Sequence, residues 1–103
     1  MAGLKIKVPR KELAEFCRKY HIQKLAFFGS VLREDFRPDS DIDILVEFEP
    51  GHVPGLAFFT MQAEMTQLFG REVDLLTFKG IESSRNYIRR KAILGSARVI
   101  YAA

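Results

Sequence analysis

One cysteine, Cys17, and two histidines, His21 and His52, are the whole supply of thiol and imidazole in this 103-residue sequence. A lone cysteine excludes an intramolecular disulfide and a cysteine-based zinc site. The histidines lie far apart without any metal-ligand spacing, so the sequence predicts no structural zinc. Long apolar runs are also missing. Lys5, Lys7, Arg10 and Lys11 crowd the start of the chain, but no apolar block of a signal peptide follows them. No segment reaches membrane-spanning length, so a cytoplasmic protein without membrane contact is expected. Internal repeats and low-complexity segments are absent too. The length leaves room for one domain, residues 1–103, and not for two.

What is present is ordinary globular material. Hydrophobic residues make up 48% and charged residues 28%, far from the profile of a disordered chain. The net charge of +3 is small enough to be a solvated surface with a slight basic excess. From Pro9 to Tyr20, Leu13, Phe16, Cys17 and Tyr20 recur at helical spacing, which predicts an amphipathic helix with Cys17 on its buried stripe. Ile22 to Phe28 reads as a strand broken by Gly29-Ser30, with a short helix starting at Ser30. Arg33 to Ser40 reads as a loop. The strongest strand follows, from Asp41 to about Glu49, in which Ile42, Ile44, Val46 and Phe48 alternate with Asp41, Asp43, Leu45 and Glu47.

A helix from Gly55 to Phe69 should end at Gly70, a strand should span Glu72 to Phe78, and a helix should run from Ile81 to Ala92. A turn at Gly95-Ser96 and a last strand near Ala97 to Tyr101 complete the order. Alternation of helices and strands predicts an α/β (α+β) fold with helices packed on a mixed sheet. In the Gly55–Phe69 helix, Phe58, Phe59, Met61, Met65, Leu68 and Phe69 form a band wider than one core stripe. Such a band is either buried deeply against the sheet or kept partly for a partner.

Two aspartates at a strand entrance demand an explanation, because aspartate is depleted from strands. Asp41 and Asp43 fall on one face, about 6.6–6.8 Å apart along the backbone. Their oxygens can bridge divalent cations about 3.5–4 Å apart and suit magnesium or manganese better than zinc. A plain strand cap and a solvated edge residue would give the same pair, so the context decides. Phe28-Gly29-Ser30 puts a strand end, a glycine open to close approach and a hydroxyl at a helix start, an arrangement that seats a phosphate. A serine-capped turn is its simpler alternative. A phosphate seat and a metal seat separated by one short loop match the needs of a magnesium-triphosphate complex. Asp74, between Val73 and Leu75, would join the carboxylate face if its strand lay beside the first pair.

These residues carry a family resemblance. Gly29-Ser30, ten residues, then Asp41-Ile42-Asp43 in an apolar strand, and later Glu72-Val73-Asp74-Leu75-Leu76, resemble the DNA polymerase β-like nucleotidyltransferase superfamily. More narrowly the chain looks like the minimal nucleotidyltransferases of the MNT (MntA) type, antitoxin partners of HEPN-domain toxins. The likeness runs through Tyr87-Ile88-Arg89-Arg90 to Val99-Ile100-Tyr101. It implies one small nucleotidyltransferase domain in which Gly29 and Ser30 bind the triphosphate of ATP. It also implies that Asp41 and Asp43 ligate two magnesium ions, and that Asp74 ligates the catalytic one and helps to activate the attacking hydroxyl. Arg33 matches a basic position that follows the turn in relatives, although Leu32 and Glu34 flank it where relatives often have a small residue and a glycine. Larger members carry a second domain for the acceptor, for which this chain has no room.

The implied activity is transfer of AMP from ATP to a hydroxyl of a partner protein, a HEPN-type toxin. Haloacid dehalogenase-type phosphatases place their aspartates at the C-terminal end of an apolar strand, whereas Asp41 and Asp43 open this one. Glycosyltransferases with an acidic metal motif need a longer nucleotide-sugar domain. A catalytically silent antitoxin module that keeps the fold and the nucleotide is the alternative from another class, and retention of all three aspartates argues against it. The basic residues Arg85, Arg89, Arg90, Lys91 and Arg98 lack an aromatic stacking platform, so nucleic acid is not the expected partner. Homo-oligomerisation and the base preference stay open.

Overall fold

The computed structural model describes residues 8–32, 41–52 and 54–103. In chain order these form α1 (Arg10–Lys19), β1 (Ile22–Phe28), a 3-10 turn (Gly29–Leu32), β2 (Ile42–Phe48), α2 (Ala57–Phe69), β3 (Val73–Thr77), α3 (Phe78–Glu82), α4 (Tyr87–Ser96) and β4 (Arg98–Ala102). The strands make one mixed sheet in the order β3-β2-β1-β4. β2 and β3 run parallel, while β1 is antiparallel to both β2 and β4.

Period-two alternation in β2 divides the interior between two faces. Ile42, Ile44 and Val46 point to one side, where Leu13, Phe16 and Cys17 of α1 and Met61 and Met65 of α2 close over them. Leu45 points to the other and packs with Ala26, Phe28, Phe78 and Ile81. The carboxylate-bearing face is therefore apolar beyond its entrance, because α3 covers it. Cys17 lies within the first cluster, fully buried, as its place on the α1 stripe predicts.

α2 begins at Ala57, two residues later than its sequence pattern predicts. Gly55 has a left-handed φ of 60°, which a right-handed helix cannot contain, and Ala57 N–H closes a turn onto Pro54 O at 3.2 Å. Gly70 ends the helix as expected, with φ 72° and its N–H bonded to Thr66 O.

The helix expected over Ile81–Ala92 is in fact two. Thr77 Oγ1 accepts from Gly80 N–H, so α3 starts directly off β3. Ser84 Oγ accepts from Asn86 N–H, and Asn86 Oδ1 then caps α4 by accepting from Arg89 N–H at 3.0 Å. Local side-chain acceptors of this kind interrupt a helix that periodicity alone would continue. α4 also runs through Gly95-Ser96, which the sequence marks as a turn; Ser96 Oγ turns back to donate to Ala92 O at 2.8 Å.

A further departure concerns the histidines. The antiparallel pairing of β1 with β2 brings Ile22 opposite Phe48, and the residues just outside the strands follow. His21 and His52 therefore stack, with ring centroids 3.8 Å apart and planes inclined by 15°. Their distance in sequence misjudges their distance in space.

Candidate active site

The aspartate site is built where the end of β1 meets the start of β2. Antiparallel pairing sets Phe28 across from Asp43, so the next residue, Gly29, turns over the Asp43 side chain. Gly29 has φ 73°, in the region that favours glycine. A Cβ placed on it would lie 3.3 Å from Asp43 Cγ and would overlap the carboxylate oxygen Oδ2. Conformation and space thus both require glycine here. The backbone of the Gly-Ser turn lies directly against one of the predicted ligands.

The third carboxylate arrives through the parallel pairing of β2 with β3. Asp43 and Asp74 are register partners, so their side chains leave the sheet on the same face from adjacent strands, about 4.8 Å apart at the backbone. Ile42 N–H donates to Glu72 O at 3.0 Å, which fixes that register at the strand entrance. Asp41, one step before β2, is exposed, Asp43 is half-buried, and Asp74 is exposed. The structure thus joins Gly29, Asp43 and Asp74 at one edge and leaves Asp41 at the entrance beside them. Arg33 lies outside the described residues, and Ser30 is placed only by its backbone, within the 3-10 turn.

The donor set consists of carboxylate oxygens, the hard ligands that magnesium prefers, and a glycine keeps the space beside Asp43 clear of side chain. That chemistry fits a magnesium-nucleotide complex. A cleft of about 960 Å³ lies elsewhere, toward the C-terminal ends of β2 and β3, between Val46, Phe58, Leu75, Thr77 and Gly80. It contains none of the three aspartates, so the ligand chemistry and not the depth of the cavity marks the candidate site.

One further cluster of ligand-type side chains lies outside the aspartate site. Among the described residues, His21, Glu49 and His52 bring one potential ligand atom each to within 4.8 Å of one another. The adjacency depends on strand register, and no local spacing announces it.

Residues 10–97 match a family model described as a nucleotidyltransferase domain. A candidate protein adenylyltransferase of Methanocaldococcus jannaschii is 36% identical over 66 residues, which are 63% of this chain and 66% of that one. The protein adenylyltransferase MntA of Thermococcus cleftensis is 35% identical over 75 residues, 72% of this chain and 71% of its own length. Of solved structures, one described as a candidate minimal nucleotidyltransferase superposes with a TM-score of 0.65 at 30% identity, covering 85% of both chains. A chain of the toxin-antitoxin complex MntA-HepT superposes with a TM-score of 0.59 at 16% identity, over 90% of this chain and 69% of that one. At that identity the likeness is one of fold.

Proposed function

The chain belongs to the nucleotidyltransferase domain family and is a nucleotidyltransferase, and from that premise we propose that it transfers AMP from ATP to a hydroxyl of a partner protein. The acceptor is a tyrosine of a HEPN-type toxin, and the chain acts as the antitoxin in the cytoplasm. The observation that carries the chemistry is the placement of Asp43 opposite Asp74 with the Gly29 backbone against the first carboxylate. A toxin partner is supported by the names of a protein adenylyltransferase and a toxin-antitoxin complex; the HEPN class and the tyrosine acceptor rest on the family resemblance alone.

In this reading the backbone of Gly29 and Ser30 holds the distal phosphates, and Arg33 adds positive charge beside them. Asp41 and Asp43 would hold two magnesium ions, and Asp74 would complete the ligand set. When bound, the ions neutralise the triphosphate and stabilise the charge on departing pyrophosphate. The acceptor oxygen attacks the α-phosphorus in line with the bond to the bridging oxygen, pyrophosphate leaves, and Asp74 is assigned to take up the hydroxyl proton. Transfer is direct. Cys17, the strongest intrinsic nucleophile in the chain, is buried, and that burial pushes its thiol up to about 12.

A partner surface is also at hand. Met61 and Met65 are buried, but Phe59 of the same band is 73% exposed, next to Leu56 just before α2 at 84%, so the wide apolar band is only partly spent on the core. Incubation with magnesium, labelled ATP and the toxin, followed by intact-mass measurement, tests the proposal. A gain of AMP on the toxin with release of pyrophosphate is expected. Release of inorganic phosphate, or no gain on either protein, would overturn it.

A further inference from the structure

At the end of β2 remote from the aspartates, three ligand-type side chains converge from two turns. His21 follows α1, Glu49 follows β2, and His52 sits in the turn leading to α2. The backbone ties all three together, since Glu49 N–H donates to His21 O at 2.8 Å and His52 N–H donates to Glu49 O at 3.0 Å. His21 Nδ1 is 3.9 Å from Glu49 Oε1, and the two imidazole rings stack at 3.8 Å.

His21 is also the one non-glycine with positive φ among the described residues, at 57°. Histidine tolerates that region better than most residues, yet it remains a strained conformation. Its effect is to turn the imidazole from the α1 terminus toward Glu49 and His52. A shallow depression of about 230 Å³, bordered by Tyr20, His21, His52 and Pro54, gives solvent access.

We propose that His21, Glu49 and His52 form a second metal centre, for one zinc-class transition dication. Two imidazole nitrogens and one carboxylate oxygen are a borderline donor set that prefers zinc, cobalt or nickel over magnesium. Nitrogen and oxygen ligands of tetrahedral zinc stand about 3.3–3.5 Å from one another at the usual bond lengths. Candidate atoms already within 4.8 Å close to that spacing by side-chain rotation, which exposed histidines permit. The fourth position is left to water. Glu49 lies six residue steps along extended chain from Asp43, about 20 Å, so the two centres are distinct in place as well as in ligand hardness. Metal here staples the turn after α1 to the turn before α2 and stabilises the fold by mass action.

The test titrates tag-free protein with zinc sulfate against a chromophoric chelator, in millimolar magnesium to occupy the aspartate site. One equivalent of zinc is expected, together with a thermal transition that rises with zinc concentration. Cobalt in its place should give the intense visible bands of a tetrahedral site. His21→Asn keeps a residue tolerant of positive φ while removing the imidazole, and His52→Ala changes an exposed turn. Each should weaken zinc at least tenfold. The double variant Asp41→Asn/Asp43→Asn should leave zinc binding unchanged, which separates this site from the nucleotide site. Should His21→Asn fail to fold, His52→Ala alone carries the test. Absence of a saturable equivalent, unchanged affinity in the histidine variants, or loss in the aspartate variant instead would each overturn the proposal.

Discussion

The Gly29 backbone lies so close to the Asp43 carboxylate that a single methyl group on the glycine would occupy the space of an oxygen. Turn and carboxylate therefore form one steric unit. Gly29→Ala meets two penalties, a left-handed φ and this overlap, and should cost about 1–3 kcal/mol in urea denaturation. Because the overlap is with the Asp43 side chain, the same change in an Asp43→Ala background should cost about 1 kcal/mol less. Additive losses would mean that the φ penalty acts alone.

Tyr20 links α1 to α2 by donating its hydroxyl hydrogen to Glu64, which also accepts from Lys19 Nζ at 3.1 Å. The Tyr20 hydroxyl first, and the Lys19 ammonium with it, hold the Glu64 carboxyl below its ordinary value of 4.5. A depressed folded pKa contributes stability above the unfolded value, and that contribution is lost as pH falls through the folded one. Tyr20→Phe should therefore cost about 0.5–1 kcal/mol at neutral pH, the lower range for a solvent-accessible pair. The gap between variant and parent should shrink on acidification below pH 4.5. A gap independent of pH would show that the Tyr20 hydroxyl does not favour the charged form of the Glu64 carboxyl.

Cys17 should resist alkylation until the protein unfolds. Burial raises its thiol from 9.0 to about 12, so the folded chain keeps it neutral and covered. The sign is opposite to that of Glu64: the contribution is full below pH 9.0 and declines as pH rises toward about 12. Labelling with iodoacetamide at pH 8 should proceed at the rate of global opening and accelerate with denaturant. Fast labelling in native buffer would show that α1 opens locally.

These outcomes depend on features of unequal visibility in the sequence. The alternation of β2 displays Asp43 on its face at once, and the Gly29 break after Phe28 is a strong local signal. The alignment of Asp74 with Asp43 needs β3 to lie beside β2 in one register, which periodicity cannot supply. The division of the late helix was hidden because single acceptors at Thr77, Ser84 and Asn86 outweigh a helical pattern. The meeting of His21 with His52 was invisible for the same reason as the Asp74 alignment. Both are long-range consequences of strand pairing.

Phe59 should matter to the partner and not to the fold. Its side chain is 73% exposed on the first turn of α2, next to the still more exposed Leu56. Phe59→Ser should leave the denaturation midpoint of the isolated chain within about 0.5 kcal/mol of the parent. An aromatic anchor is worth about 2 kcal/mol or more at an interface, so toxin affinity should fall more than tenfold in a direct binding titration. Unchanged affinity would move the interface away from the start of α2.

Asp74→Asn separates the roles of the three carboxylates. In the absence of metal, like charges directly opposite on adjacent strands repel, so removing one should leave stability unchanged or raise it by up to about 1 kcal/mol. A strong loss in metal-free melts would mean that the Asp74 carboxylate is a structural acceptor. Magnesium-ATP binding should largely survive, because the Gly29-Ser30 turn and the first two aspartates remain. Transfer should nevertheless fall roughly 100- to 10,000-fold, the range for loss of a group that handles the acceptor proton. Since this contribution is made in the transition state and hardly at all in the ground state, the loss should appear in kcat with little change in KM. Single-turnover transfer with saturating ATP and toxin reads that difference directly, with pyrophosphate as the second product. Robust transfer by a variant that binds ATP normally would remove Asp74 from the chemistry and leave its alignment with Asp43 without a catalytic role.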